Sequence, residues 1–147
     1  MNKLLADQII EMANVDQLVR KNAKPGVHFD SANFLVYAVD GANNQYVQRI
    51  IESYGYPSTK LIGKEALHAF WLLVQHQDFD LNLQEACLKK CDFDKKDKAY
   101  LTDRIYKAKG IPQIYGTQYI RKNGKLVLLD IKDEKNLKKR RKEVGLD

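Results

Sequence analysis

His76 stands where the chain's most apolar run, Ala66 to Val74, gives way to Gln75, His76, Asp78 and Asp80. Imidazole titrates near neutrality, so a histidine at such a boundary can act as general acid or base. A helix that ends there presents the negative end of its dipole, which favours the protonated ring and would suit a cationic anchor equally well. A histidine hydrogen-bonded into a helix-end network accounts for the residue without any chemistry. Asp16 and Arg20 are four residues apart and can pair on one helix face. Asp103 and Arg104 lie side by side, where surface ion pairing is the plain alternative. In Tyr115-Gly116-Thr117-Gln118 the glycine permits close backbone approach, and the hydroxyls and amide could orient a ligand. A simple turn fits that tetrapeptide equally.

Metal and nucleic-acid readings are weaker. His68 and His76 would be about 12 Å apart along a helix at 1.5 Å per residue, too far to share a zinc ion. Asp78-Phe79-Asp80-Leu81-Asn82 imitates the start of a calcium loop, but Leu83 stands where the turn glycine is required and Lys89 where the bidentate glutamate is required. Cys87 and Cys91 have no second ligand pair, and a regular helix turn rarely supplies disulfide geometry, so they are read as free thiols against the core. No metal and no cofactor is expected. The run Lys138-Lys139-Arg140-Arg141-Lys142 invites a nucleic-acid reading. Helical geometry spreads it around the axis, Glu134 and Glu143 dilute it, and no stacking aromatics accompany it, so a solvated helix face is preferred.

The chain has 147 residues, 44% of them hydrophobic, with a net charge of +6. That is one ordinary domain's worth of core. Residues 132 to 147 carry seven basic and four acidic side chains, half of the net charge. No apolar run approaches a membrane span, and the N-terminus lacks the apolar stretch of a secretory signal. A cytoplasmic location without membrane contact is the default.

Three- and four-residue spacing predicts a helix from Leu4 to about Lys21, closed by Lys24-Pro25-Gly26. Residues 31 to 39, with Asp30 or Ser31 as cap, are open between helix and strand. Asp40-Gly41 is read as an interruption before a helix bearing Tyr46, Val47, Ile50, Ile51 and Tyr54, which Gly55 and Pro57 stop. Residues 63 to 78 form the buried central helix. Asp80 caps the next, a further helix runs from Lys98 to Lys109, and Gly110 and Pro112 close it. Asn123-Gly124 between alternating segments predicts a β-hairpin over about 118 to 130, packed on the helical body because a lone hairpin is marginal in water. Asp133 then caps a short basic helix ended by Gly145. The expected fold is mainly α, a single domain over residues 1 to 147.

In order and spacing these segments resemble an uncharacterised bacterial family, a domain of unknown function. The residues that carry the resemblance include Asp16-Gln17 with Arg20, Asp40, Trp71-Leu72-Leu73-Val74-Gln75-His76 with Asp78, and Ala99-Tyr100-Leu101-Thr102-Asp103-Arg104. Asn44, Tyr54-Gly55-Tyr56-Pro57, Gly63, Gly110, Pro112-Gln113, Tyr115-Gly116-Thr117-Gln118, Asp133 and Arg140-Arg141 with Val144-Gly145-Leu146 complete them. Tyr56 departs from the tryptophan expected there. The resemblance supplies no activity. It raises the weight of Asp16, Arg20, Gln75, His76, Asp103, Arg104, Gln118, Arg140 and Arg141 as members of one polar site.

The function expected on this basis is binding of a small anionic ligand bearing phosphate or carboxylate. Arg20 and Arg104 would clamp it, and Tyr115 and Gln118 would orient it. If catalytic, His76 would be the acid/base, with Asp103 or Asp16 orienting its ring, in a hydrolase or group-transfer reaction. The competing expectation is a non-catalytic protein-interaction module.

Overall fold

The computed structural model describes residues 1–21 and 31–147, with the side chains of residues 31–33 left aside. Among them are six α-helices, the last of them short, and one two-stranded antiparallel hairpin that precedes it, so the protein is mainly helical. The helices are α1 (Lys3–Lys21), α2 (Ser31–Tyr54), α3 (Thr59–Gln75), α4 (Leu81–Lys90), α5 (Lys95–Lys109) and α6 (Leu137–Glu143), and the strands are β1 (Tyr119–Lys122) and β2 (Lys125–Leu128). By internal contacts the chain divides into two compact units, Met1–Gln77 with Lys90–Asp92, and Asp78–Lys89 with Phe93–Asp147.

In the first unit α1, α2 and α3 pack against one another. Their buried side chains are Leu5, Ile9 and Val19 from α1, Val47 and Ile50 from α2, and Ile62, Leu67, Phe70, Leu73 and Val74 from α3. Each large apolar side chain removed from water contributes about 1.5–3 kcal/mol, which makes α3 the chief source of stability here. Its first turn is capped by Ser58, whose hydroxyl accepts from the Leu61 amide at 3.2 Å. Gly63 then breaks the helix at φ 79°, and an added Cβ there would meet the Met1 sulfur at 3.1 Å. The helix resumes and ends at Gln75 with His76 as C-cap, so the expected 63–78 helix stops three residues short and leaves Asp78 beyond it.

Residues 31 to 39 are helical, and Asp40-Gly41 does not interrupt them. A single helix runs from Ser31 to Tyr54. One interior glycine costs only about 1 kcal/mol, less than burial of Val47 and Ile50 returns. Gly55, at φ 79°, ends the helix. The expected stop at Lys24-Pro25-Gly26 and the Asp30 cap lie outside the described residues.

In the second unit Asp80 caps α4 through the Leu83 amide at 3.2 Å. Asp94 caps α5 through the Asp97 amide at 2.8 Å, so α5 begins about a turn before the expected Lys98. Cys87 and Cys91 are buried free thiols. Asn123 (φ 53°) and Gly124 (φ 76°) form the hairpin's two-residue loop, which sets the register Tyr119↔Leu128 to Lys122↔Lys125. The expected packing of this hairpin is not seen, because all eight strand residues are exposed. What holds it is its base: Gln113 donates its amide N–H groups to the Gln118 and Leu129 carbonyls, both at 2.9 Å, and accepts from the Gln118 amide at 2.8 Å. Asp133 is not a side-chain cap either. It lies at φ 50° at the head of a 3-10 turn (Glu134–Asn136) that leads into α6.

Candidate functional site

The last turns of α1 bring Asp16 and Arg20 onto one face, as their four-residue spacing requires. The Asp16 carboxylate is fully buried. It receives the Arg20 guanidinium at 2.8 Å, the Gln17 amide at 2.9 Å, and the His76 Nδ1 nitrogen at 2.9 and 3.0 Å. His76 reaches it because α3 ends at Gln75, and the C-cap geometry turns the ring back toward α1. The other arm of Arg20 grips Asp40 of α2 through both carboxylate oxygens, at 2.8 and 2.9 Å. One guanidinium thus joins carboxylates from two helices, and one of those carboxylates orients an imidazole. No hydrogen bond to His76 Nε2 is present among the described residues, and the side chain keeps a tenth of its surface exposed.

The two carboxylates respond oppositely to the same arginine. Burial raises the Asp16 carboxyl, but the hydrogen bond and charge of His76, aided by Gln17 and Arg20, outweigh it and hold the group below its ordinary value. At Asp40 burial dominates, the charge of Asp16 adds to it, and the group sits above its ordinary value despite Arg20. Asp16 is therefore the firmly ionised member.

Three polar residues of this unit are not singled out as site residues by the sequence. Asp40 is one, and a carboxylate at a helix position gives no sign that its partner lies twenty residues upstream. Gln77 is fully buried and donates to the Asp40 carbonyl at 3.3 Å, while its Oε1 has no partner among the described residues. Asn43 is buried with its Nδ2 likewise unmatched. A polar residue directly after a helix end is the only signal Gln77 offers. A separate cleft of about 530 Å³ lies in the same unit, lined by Leu5, Met12, Arg49, Ile50 and Tyr54 among others, and neither Asp16 nor His76 borders it.

In the second unit Asp103 is also fully buried, and its surroundings differ in kind. Its carboxylate accepts from the amides of Ile114 (2.7 Å), Tyr115 (3.0 and 3.1 Å) and Thr117 (3.1 Å) and from the Thr117 hydroxyl (2.9 Å). On the outer side of the same loop Arg140 donates to the carbonyls of Ile114, Lys132 and Asp133, at 3.0, 2.5 and 3.0 Å. Arg141 donates to the Tyr115 carbonyl at 2.7 Å and grips Asp147 at 2.6 and 3.1 Å. Gln118 gives its side-chain amide to the Thr117 hydroxyl at 3.2 Å. Arg104 forms a bidentate pair with Asp78, 2.8 Å on each arm.

Of the expected site residues, then, Asp16, Arg20 and His76 are in direct contact in the first unit. Gln75 is the last residue of α3 beside them. Asp103, Tyr115, Gln118, Arg140 and Arg141 meet around the 113–118 loop of the second unit, where Asp103, Arg140 and Arg141 bind its backbone and the Gln118 side chain meets the Thr117 hydroxyl. Of the two aspartates named as partners for His76, Asp16 is the one in contact with its Nδ1. Asp103 has both oxygens occupied by its own loop, and no cluster of three or more metal-ligating side chains occurs among the described residues.

Neither the curated proteins nor the solved structures compared with this chain contain a match. A family model matches residues 3–147, nearly the whole sequence. The chain belongs to that family, DUF6624, a family of unknown function.

Proposed function

We propose that the first unit carries an acid–base site at His76 and that it binds and turns over a small anionic substrate there, in hydrolysis or group transfer. The observation that supports this is the Asp16–His76 contact. A fully buried carboxylate holds Nδ1 at 2.9 Å, which fixes the tautomer and leaves Nε2 as the proton-exchanging atom. When Nε2 takes a proton, the ionised Asp16 compensates the positive charge, and Nε2–H can then meet a phosphate or carboxylate oxygen. Arg20 contributes by holding Asp16 and Asp40 in place, since both its terminal nitrogens are engaged. Arg104, Arg140 and Arg141 are likewise engaged, so anion recognition falls to the histidine in this reading. The setting is taken as the cytoplasm of a bacterial cell, on the resemblance described above.

A thermal-shift screen against nucleotides, sugar phosphates and organic acids tests it, because a ligand that binds only the folded state raises Tm by mass action. At least one compound should give a saturable rise in the parent protein and in His68→Asn, where the exposed ring stacks on Trp71, and none in His76→Asn. A hit should also move the ¹⁵N resonance of His76 Nε2. Silence across the panel, or an equal response from His76→Asn, sinks the reading.

A further inference from the structure

All eight residues of the hairpin strands are exposed, and the apolar ones among them are of a kind a chain normally buries. Leu126 is 64% exposed, Tyr119 49% and Leu128 41%. The register places these three, with Arg121, on one face of the ribbon. On the other face Ile120, Lys122 and Val127 border a groove of about 320 Å³ with Lys107, Ile111 and Pro112. The Leu129 amide donates to the Gln118 carbonyl at 3.3 Å, and antiparallel alternation from that pair turns the N–H and C=O groups of Leu126 and Leu128 outward along β2. No hydrogen bond to those groups is present among the described residues. The opposite edge is guarded, since Lys107 Nζ donates to the Tyr119 carbonyl at 3.3 Å. An unguarded, apolar edge strand is a template for another strand.

We propose that the β2 edge is a docking site for an extended segment of another protein in which apolar and acidic residues alternate. Side-chain alternation dictates this composition. Residues of the added strand that lie beside Leu126 and Leu128 share their apolar face, and those beside Lys125 and Val127 share the other face with Lys122. Charge decides against a second copy of this chain. Arg121, Lys122 and Lys125 are the only charged residues from Tyr119 to Leu129, so a twofold pairing would set two tripositive ribbons side by side, whereas an acidic segment neutralises one. The site is independent of His76 and stands if that reading falls.

Selection from a displayed library of random twelve-residue peptides tests the proposal. Enriched sequences should alternate apolar residues with Asp or Glu. As synthetic peptides they should bind the parent protein at least tenfold more tightly than the Leu126→Glu/Leu128→Glu variant, and more weakly as salt is raised. Both substitutions are at exposed positions, and an unchanged circular dichroism spectrum and Tm will show that the variant folds. No enrichment, enrichment of basic peptides, or equal binding to the variant overturns the proposal. So does a parent protein that sediments as a dimer while the variant sediments as a monomer, because the occupant is then a second copy.

Discussion

Asp16 and Asp103 are both carboxylates sealed from solvent, each surrounded by several donors, yet they are held in different ways. Asp103 is caged by amides and a hydroxyl of one short loop, groups that neither titrate nor move away while the loop is folded. Asp16 is held by side chains alone, two of them cationic or able to become so. A carboxylate fixed by backbone is an anchor, since its energy goes into loop shape. A carboxylate fixed by an imidazole can share a proton's charge with it, and only that arrangement can take part in acid–base chemistry.

The comparison breaks first at Asp103. Asp103→Asn would replace an acceptor oxygen by an NH₂ group aimed at backbone N–H groups, so several donors become unmatched together. We expect a loss of about 3–5 kcal/mol of stability, since each buried donor left unmatched costs about 1–3 kcal/mol. Urea unfolding measures it, and a loss below about 1 kcal/mol would mean that the cage does not organise the loop.

Asp16→Asn should cost less, about 1–3 kcal/mol, because Arg20 keeps its bidentate grip on Asp40 and no charge is orphaned. Its effect on ligand-induced stabilisation should exceed its effect on folding. A double-mutant cycle with His76→Asn should show a coupling of about 1 kcal/mol between the two sites. Additive losses would reduce Asp16 to a second anchor and remove the distinction between the regions.

The glycines sharpen the same contrast on a smaller scale. Gly116 lies in the Asp103 loop at φ 67°, and an added Cβ would come within 3.4 Å of Ile131 Cδ1. Gly116→Ala should therefore destabilise by about 1–2 kcal/mol. Gly41 lies inside α2 with nothing within 4 Å of its added Cβ, so Gly41→Ala should stabilise by about 0.5–1 kcal/mol. Chemical denaturation of the two variants side by side checks the opposite signs.

Local signals were the legible ones. Asn123-Gly124 could be read as a turn because positive φ at two successive residues is a property of those residues alone. The apolar run of α3 announced a buried helix, and Asp16 and Arg20 announced each other by spacing. Gly41 reads as a break because glycine's helix propensity is weak, but burial of Val47 and Ile50 overrides that propensity. The hairpin misled in the opposite sense, since its pattern of apolar residues implied a packed face that the fold leaves open. The roles of Asp40, Gln77 and Gln113 were illegible. An amide or carboxylate carries the same donors and acceptors whether it meets solvent, a loop or a guanidinium, and the partner is chosen by tertiary structure. His76 could be nominated from its place at a helix end, but the choice of Asp16 over Asp103 as its partner needed a contact sixty residues apart in sequence.

The smallest expected effect is the most discriminating, because it separates the two carboxylates that share Arg20. Asp16 has a depressed value when folded, so its stabilisation is complete above the unfolded value near about 3.9 and is lost as pH falls through the lower folded value. Asp40 has a raised value, so its contribution is complete below about 3.9 and is lost as pH rises through the higher folded value. On acidification from neutrality, protonation of Asp40 therefore adds stability above about pH 4, and protonation of Asp16 removes it below. Asp40→Asn should erase the first change and keep the second, and Asp16→Asn should do the reverse. Urea midpoints from pH 3 to 7 at fixed ionic strength, read as differences from the parent protein, record both. If the Asp40→Asn curve runs parallel to the parent between pH 4 and 6, burial does not dominate at Asp40. The two carboxylates would then be equivalent partners of Arg20, and only the contact with His76 would set Asp16 apart.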